Sequence, residues 1–266
     1  MNEVLLFETH GPVAVLTINR AESRNPLGAD GDGEAFAAAA SRINADRSIR
    51  AVILTGAGKA FSAGGDVKAM KDRAGAFSGP GVAIRERYRT GIHRIVRSVW
   101  NIEVPVIAAV NGPAIGLGND VACLADMRIA SDTAIFGATF LKIGLVPGDG
   151  GAWLLPRVIG MARASELLYT GDTIDAQTAL GWGLVSRVVP AASLMEEAKK
   201  LAQKICQQPP DVLRMTKKLL REGQAVSFDN IMELSAAMQA LAHHTEDHGE
   251  AIDAFFEKRP GNYKGR

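Results

Sequence analysis

Cysteine is scarce in this chain. Its 266 residues hold only Cys123 and Cys206, far apart and outside any CxxC spacing. That argues against a disulfide-stapled secreted scaffold and against a cysteine-based zinc site, and it points to a reducing, cytoplasmic compartment. An excess of one charge is missing too. Thirty Lys and Arg against 29 Asp and Glu leave a formal net charge of +1. Such a chain has no field for gripping nucleic acid and no charged tail for an oppositely charged partner. RNA binding would need a basic stripe with stacking aromatics, and aromatics are only 6% of the residues. Long apolar runs are absent at the N-terminus, where MNEVLLFETHG carries Glu3 and turns polar at once. Neither a signal peptide nor a membrane span is expected there.

What is present suits one large core. Hydrophobic residues make up 47% of the chain, enough to close a single sizeable domain. Strands are expected at 4–7, 13–19, 51–55, 106–110, 127–130 and 185–189, helices at 29–45 and 82–100, and a mobile rim at 74–81. From about residue 191 the pattern is helical, broken at Pro209-Pro210 and Gly223. The short apolar strands bounded by glycine, AVILT and VIAAV, are those of a buried parallel sheet. The expected fold class is α/β, a spiral of repeated strand–strand–helix units over 1–200 with a helical region over 201–266. That last piece is too short to bury its own core and is expected to pack on another subunit.

Two nucleotide-binding patterns fail on inspection. Gly56-Ala57-Gly58-Lys59 lacks the upstream glycine and the Ser or Thr of a phosphate loop, since Ile53 and Ala60 stand there. The dinucleotide fingerprint fails at Phe61 after Gly56-x-Gly58, and at Val121 after Gly116-x-Gly118. His244 and His248 are spaced i,i+4, but without an HExxH glutamate they read as a solvated face rather than a metal site.

Two glycine-rich turns carry the chemistry. FSAGGDVK (61–68) follows AVILT, and NGPAIGLGND (111–120) follows VIAAV. Small residues let backbone approach a ligand, and a turn opening a helix leaves amide donors unpaired. Two such turns on neighbouring strands can aim two amides at one oxygen, an oxyanion hole. They can also be plain strand-to-helix turns that need glycine for geometry alone.

These segments resemble the crotonase, or enoyl-CoA hydratase/isomerase, superfamily. FSAGGDVK resembles its FSAG-x-D-[LI]-K block, and NGPAIGLGNDVACLADMRIAS its NG-x-A-x-GGG-x-E-L segment. IGLVPGDGGAWLLPRVIG resembles its third glycine-rich block, and the matches continue in order to the closing FFEKRPGNYKG. The resemblance implies an acyl-CoA or enoyl-CoA thioester as substrate, with coenzyme A as its handle and no metal or redox cofactor. It implies the amides of Ala63 and Leu117 as the oxyanion donors, beside Gly64, Gly65, Asp66 and Gly116. The 56–66 turn would hold adenine, Arg24 and its neighbours would lie by the pantetheine arm, and Phe256, Lys258 and Lys264 would reach the nucleotide from a neighbouring subunit. A homotrimer or a dimer of trimers is implied, as is a place in fatty acid metabolism.

Family hydratases use two carboxylates. The resemblance puts the first at Asp120, the acid/base candidate, which could otherwise be a helix-start carboxylate favoured by the dipole. The second would fall at Phe140, where a phenyl ring can neither take a proton nor hold water. A single-carboxylate double-bond isomerisation or a modified hydration is therefore expected. Asp149 has two readings: an N-cap of the helix after it, or a working carboxylate for dehalogenation or C–C hydrolysis on the same scaffold. A weakly catalytic acyl-CoA-binding protein is the remaining alternative. His93 falls where the family's dehalogenase also has a histidine, yet a lone histidine on a long helix reads as structural.

Overall fold

Side chains of the central strands alternate between two cores, which explains why these strands are apolar without interruption. The computed structural model describes residues 3–266. Leu5–His10, Val13–Ile18, Ala51–Gly56, Val106–Val110, Met127–Ser131 and Arg187–Val189 lie side by side in one six-stranded sheet. The first pair is antiparallel, and every later pairing is parallel. Val13, Val15, Ala51, Ile53, Ile107 and Ala109 face the helix Leu194–Cys206. Ala14, Leu16, Val52, Leu54 and Ala108 face the larger core on the other side. With both faces covered, a strand needs no polar side.

The spiral comes from a repeated step. Ala51–Gly56, Val106–Val110 and Met127–Ser131 lead respectively to the short strands Gly64–Gly65, Ala114–Ile115 and Ile135–Gly137. Gly64–Gly65 pairs with Pro26–Leu27, while Ala114–Ile115, Ile135–Gly137 and Thr173–Asp175 form a three-stranded sheet. A single bridge between Ser62 and Ala114 joins the two small arrays. The expected α/β spiral is what the chain adopts.

Two helices depart from expectation for visible reasons. The one expected from residue 29 starts at Asp32, because the Asp32 carboxylate accepts the Gly28 and Ala29 amides at 2.9 and 3.0 Å and holds them outside the helix. The helix expected over 82–100 is three pieces, Gly81–Arg87, a π turn Tyr88–Ile92, and His93–Trp100. The segment expected to be a loop at 74–81 contains the 3-10 turn Gly75–Phe77.

A division at residue 200 would cut the helix Leu194–Cys206, which packs on the sheet. The helices beyond it are Pro210–Glu222, Phe228–His243 and Glu246–Glu257. The first is tied to the core by Lys217, whose Nζ is 2.8 Å from both the Val104 carbonyl and Asp126 Oδ2. Phe228–His243 buries none of its residues within this chain. Among the described residues no helix is long and apolar enough to cross a membrane.

Candidate active site

The helix Leu117–Leu124 is buried at every position, so its polar first turn sits inside the larger core. Leu117 opens the helix, and its amide has no partner within it. Gly116 before it has φ 54° and gives its own amide to the Gly137 carbonyl at 2.8 Å. In the neighbouring turn Gly64 has φ 86°, and a β-carbon there would stand 2.4 Å from the Ile115 oxygen and 3.3 Å from the Leu117 nitrogen. Glycine is what lets the two turns meet.

The expected partner of Leu117 is corrected. The Ala63 amide donates to the Arg24 carbonyl at 2.8 Å, and a donor already used by the protein cannot hold a substrate oxygen. The Phe61 and Ser62 amides go to the Pro113 carbonyl, and that of Gly64 to Ser62 Oγ. Left-handed backbone at Arg24 and Asn25, φ 64° and 56°, turns the Arg24 carbonyl this way. Nothing in the motif reveals it. Asp66 is exposed, and its carboxylate caps the helix Val67–Lys71 by accepting the Ala69 amide at 3.0 Å.

Asp120 is fully buried. Its Oδ2 accepts the Gly151 amide at 2.9 Å, and its Oδ1 has no partner among the described residues. Burial, reinforced by the charge of Asp149, pushes its carboxyl up to about 8 against the opposing pull of the Gly151 amide. Asp149 is 5% exposed, and its Oδ1 is likewise without a partner. Burial pushes it to about 6, with His93 acting the other way. The N-cap reading of Asp149 fails, because the helix Gly151–Ile159 is capped by Gly150 with no side-chain bond. Asp120 takes that helix's first amide instead. Two buried carboxylates thus share one region and differ in acidity.

Around them, Phe140 is buried, its ring 3.7 Å from where a Gly116 β-carbon would be. It forms an apolar wall beside the Gly116–Leu117 turn. His93 Nε2 lies 2.8 Å from the Gly148 carbonyl. Tyr88 lines a groove of about 620 Å³ together with Val67, Met70, Phe77, Ile84 and Leu145. Its phenol is raised by burial and then by the charge of Asp149. Arg24 is exposed. Phe256, 76% exposed, stands on the separate helix Glu246–Glu257, and Lys258 follows its end.

Sequence reasoning missed Asn25 as a staple. It is fully buried, accepts the Arg20 amide at 2.8 Å, and donates to the Ala57 and Ala60 carbonyls at 2.8 Å each. Tyr88 and Gly151 were missed as well. Among the described residues no group of three His, Cys, Asp or Glu could hold a metal. The histidine contact on the C-terminal helices joins His243 to His248, Nδ1 to Nε2 at 3.0 Å, rather than His244 to His248.

Comparison with known proteins fits this geometry. Residues 8–266 match the family model described as enoyl-CoA hydratase/isomerase. The chain is 38% identical to a short-chain-enoyl-CoA hydratase of Clostridium acetobutylicum, over 97% of this chain and 96% of that one. It is 34% identical, over the full length of both, to the 1,2-epoxyphenylacetyl-CoA isomerase of Escherichia coli K12. The crystal structure of an enoyl-CoA hydratase from Bacillus anthracis superposes with a TM-score of 0.92 at 34% identity, covering 99% of this chain and 100% of that one. On both sequence and fold, the chain belongs to the enoyl-CoA hydratase/isomerase family of the crotonase superfamily.

Proposed function

We propose that this protein binds an enoyl-CoA thioester and moves its double bond, with Asp149 and Asp120 exchanging the proton. The observation that carries this reading is the pair itself: two buried carboxylates whose acidities are pushed apart, to about 6 and about 8. Such a split assigns the acid and base roles. At neutral pH Asp149 is largely ionised and takes a proton from one carbon beside the double bond. Asp120 holds its proton and delivers it at the far carbon as the electrons shift.

The thioester oxygen gathers charge while the proton is in transit, and the free Leu117 amide is placed to receive it. The second donor in this reading is the amide of Gly65, the residue after the left-handed turn at Gly64. Each such donor is worth roughly 3–4 kcal/mol in the transition state. Phe140 keeps water from the reacting carbons, which favours proton transfer over hydration. The groove past Tyr88 takes the acyl chain, and Arg24, Phe256 and Lys258 remain the candidates for the coenzyme A end.

The test follows solvent deuterium at the α- and γ-carbons of 2- and 3-enoyl-CoA. Exchange at both carbons with a shifted double bond, lost in Asp120→Asn and in Asp149→Asn, supports the reading. A 3-hydroxyacyl-CoA as the main product would overturn it in favour of hydration by the same pair. Thioester binding without exchange would leave a binding protein.

A further inference from the structure

We propose that the π turn Tyr88–Ile92 is a positioning device for the Asp149 carboxylate, with His93 as the residue that holds the Gly148–Asp149 peptide in place. The inference rests on the reading of Asp149 as a working acid/base.

The geometry starts in the helix. In an α-helix, residues five apart point in different directions, about 140° apart around the axis. Here the His93 amide bonds back to the Tyr88 carbonyl, a five-residue step, and the wider turn returns the chain to nearly the same face. Tyr88 and His93 therefore stand together, rings edge to face with centroids 6.1 Å apart. Both reach the same peptide. His93 Nε2 lies 2.8 Å from the Gly148 carbonyl. A carbonyl can only accept, so Nε2 carries the proton and the tautomer is set. Tyr88 Cε1 would be 3.7 Å from a β-carbon on Gly148, so its ring packs against that peptide.

What this accomplishes follows from what Asp149 lacks. Its Oδ1 has no partner and its helix takes no cap bond from it, so the backbone must orient the side chain. The Gly148–Asp149–Gly150 turn is flanked by glycines and has little stiffness of its own. The clamp from His93 supplies it. An uninterrupted α-helix would rotate His93 away from Tyr88 and lose one of the two contacts. A π turn carries a local cost and tends to mark functional sites. The groups facing Asp149 are Asp120 from the helix Leu117–Leu124, and Tyr88 and His93 from this one.

The test compares His93→Ala, His93→Gln, and a deletion of the exposed Thr90 that turns the π turn into α-helix, each checked for folding by circular dichroism. Isomerisation is read as kcat and KM across pH. In His93→Ala, kcat should fall on the order of 10- to 100-fold with KM nearly unchanged, and the acid limb of the profile should move. His93→Gln, which can still donate to the Gly148 carbonyl, should recover most of the rate. The Thr90 deletion should resemble His93→Ala. Wild-type rates in His93→Ala or in the folded deletion, while Asp149→Asn remains strongly impaired, would overturn the clamp alone. Equal loss in His93→Ala and His93→Gln with an unmoved pH profile would also overturn it. Full activity in Asp149→Asn would remove the reading beneath it.

Discussion

The Gly151 amide meets the Asp120 carboxylate at 2.9 Å, and a β-carbon on Gly151 would lie 2.5 Å from Asp120 Oδ1 and 2.7 Å from Oδ2. One residue thus both donates to the Asp120 carboxylate and leaves room for it. Gly151→Ala must push the carboxylate aside or break that bond. We expect it to cost about 1–3 kcal/mol in denaturant unfolding, in the range of overpacked cores, and to lower kcat sharply. Gly181→Ala, in the helix Ala176–Trp182, is the control, since a β-carbon there meets nothing within 4 Å. Similar unfolding midpoints and rates for the two variants would contradict this account.

The Leu117 amide can be removed without disturbing the helix. Proline is well tolerated at the first position of a helix, where its missing donor would be unpaired in any case. Leu117→Pro should therefore fold while kcat drops on the order of 10²- to 10³-fold, the usual effect of losing one oxyanion donor. Because Leu117 is also buried, Leu117→Ala measures the packing loss with the amide kept. A rate for the proline variant no lower than for the alanine variant would exclude the amide from catalysis.

Asn25 joins three stretches of backbone from a left-handed position, with φ 56° and no solvent exposure. Its side chain accepts from Arg20 and donates to Ala57 and Ala60. Asn25→Ala strands those groups and keeps a strained φ, so a loss of about 2–4 kcal/mol is expected from unfilled buried hydrogen bonds. Asn25→Asp should also destabilise, since neither carbonyl finds a donor. Chemical unfolding of both variants tests this.

Much of the architecture was legible because local pattern and tertiary burial agree here. AVILT and VIAAV are apolar throughout, and they are central strands covered on both faces. The ordered motif blocks carried the family in the same way. Legibility ended where backbone direction decides the outcome. Ala63 sits in the motif as expected, but its amide turns to Arg24 through two left-handed residues that no periodicity announces. The helix over 82–100 has a continuous pattern, and the five-residue step at Tyr88 changes which side chains share a face without changing composition. Asp149 admits a cap reading beside the catalytic one, because Asp before a helix commonly caps it. Only the fold shows that Asp120, 31 residues before Gly151, already takes that helix's free amide.

Stability should carry the mark of Asp120. Unfolded, an aspartate titrates near about 3.9; folded, Asp120 does so at about 8. Between those values the folded state keeps a proton that the unfolded state has lost. Stability from this group is therefore present at low pH, falls as pH rises from about 4 to about 8, and is flat beyond. Asp120→Asn cannot lose a proton. It should match wild type near about pH 4 and become progressively more stable than wild type as pH rises toward about 8. A difference that does not change with pH would mean that Asp120 is ionised in the folded protein.

The same two groups should shape catalysis. With Asp149 as base and Asp120 as acid, kcat/KM for isomerisation should rise through about 6 as Asp149 ionises and fall through about 8 as Asp120 loses its proton. The limbs belong to the pair, so removing one partner moves the other: without the charge of Asp149, the falling limb should shift to lower pH. Asp149→Asn should keep a residual rate on the order of 10²- to 10⁴-fold lower and lose the rising limb. Asp120→Asn should lose the falling one. The assignment of roles depends on this asymmetry. If Asp149→Asn instead abolished the falling limb and left the rising one in place, acid and base would have to be exchanged, with the more deeply buried Asp120 ionising first.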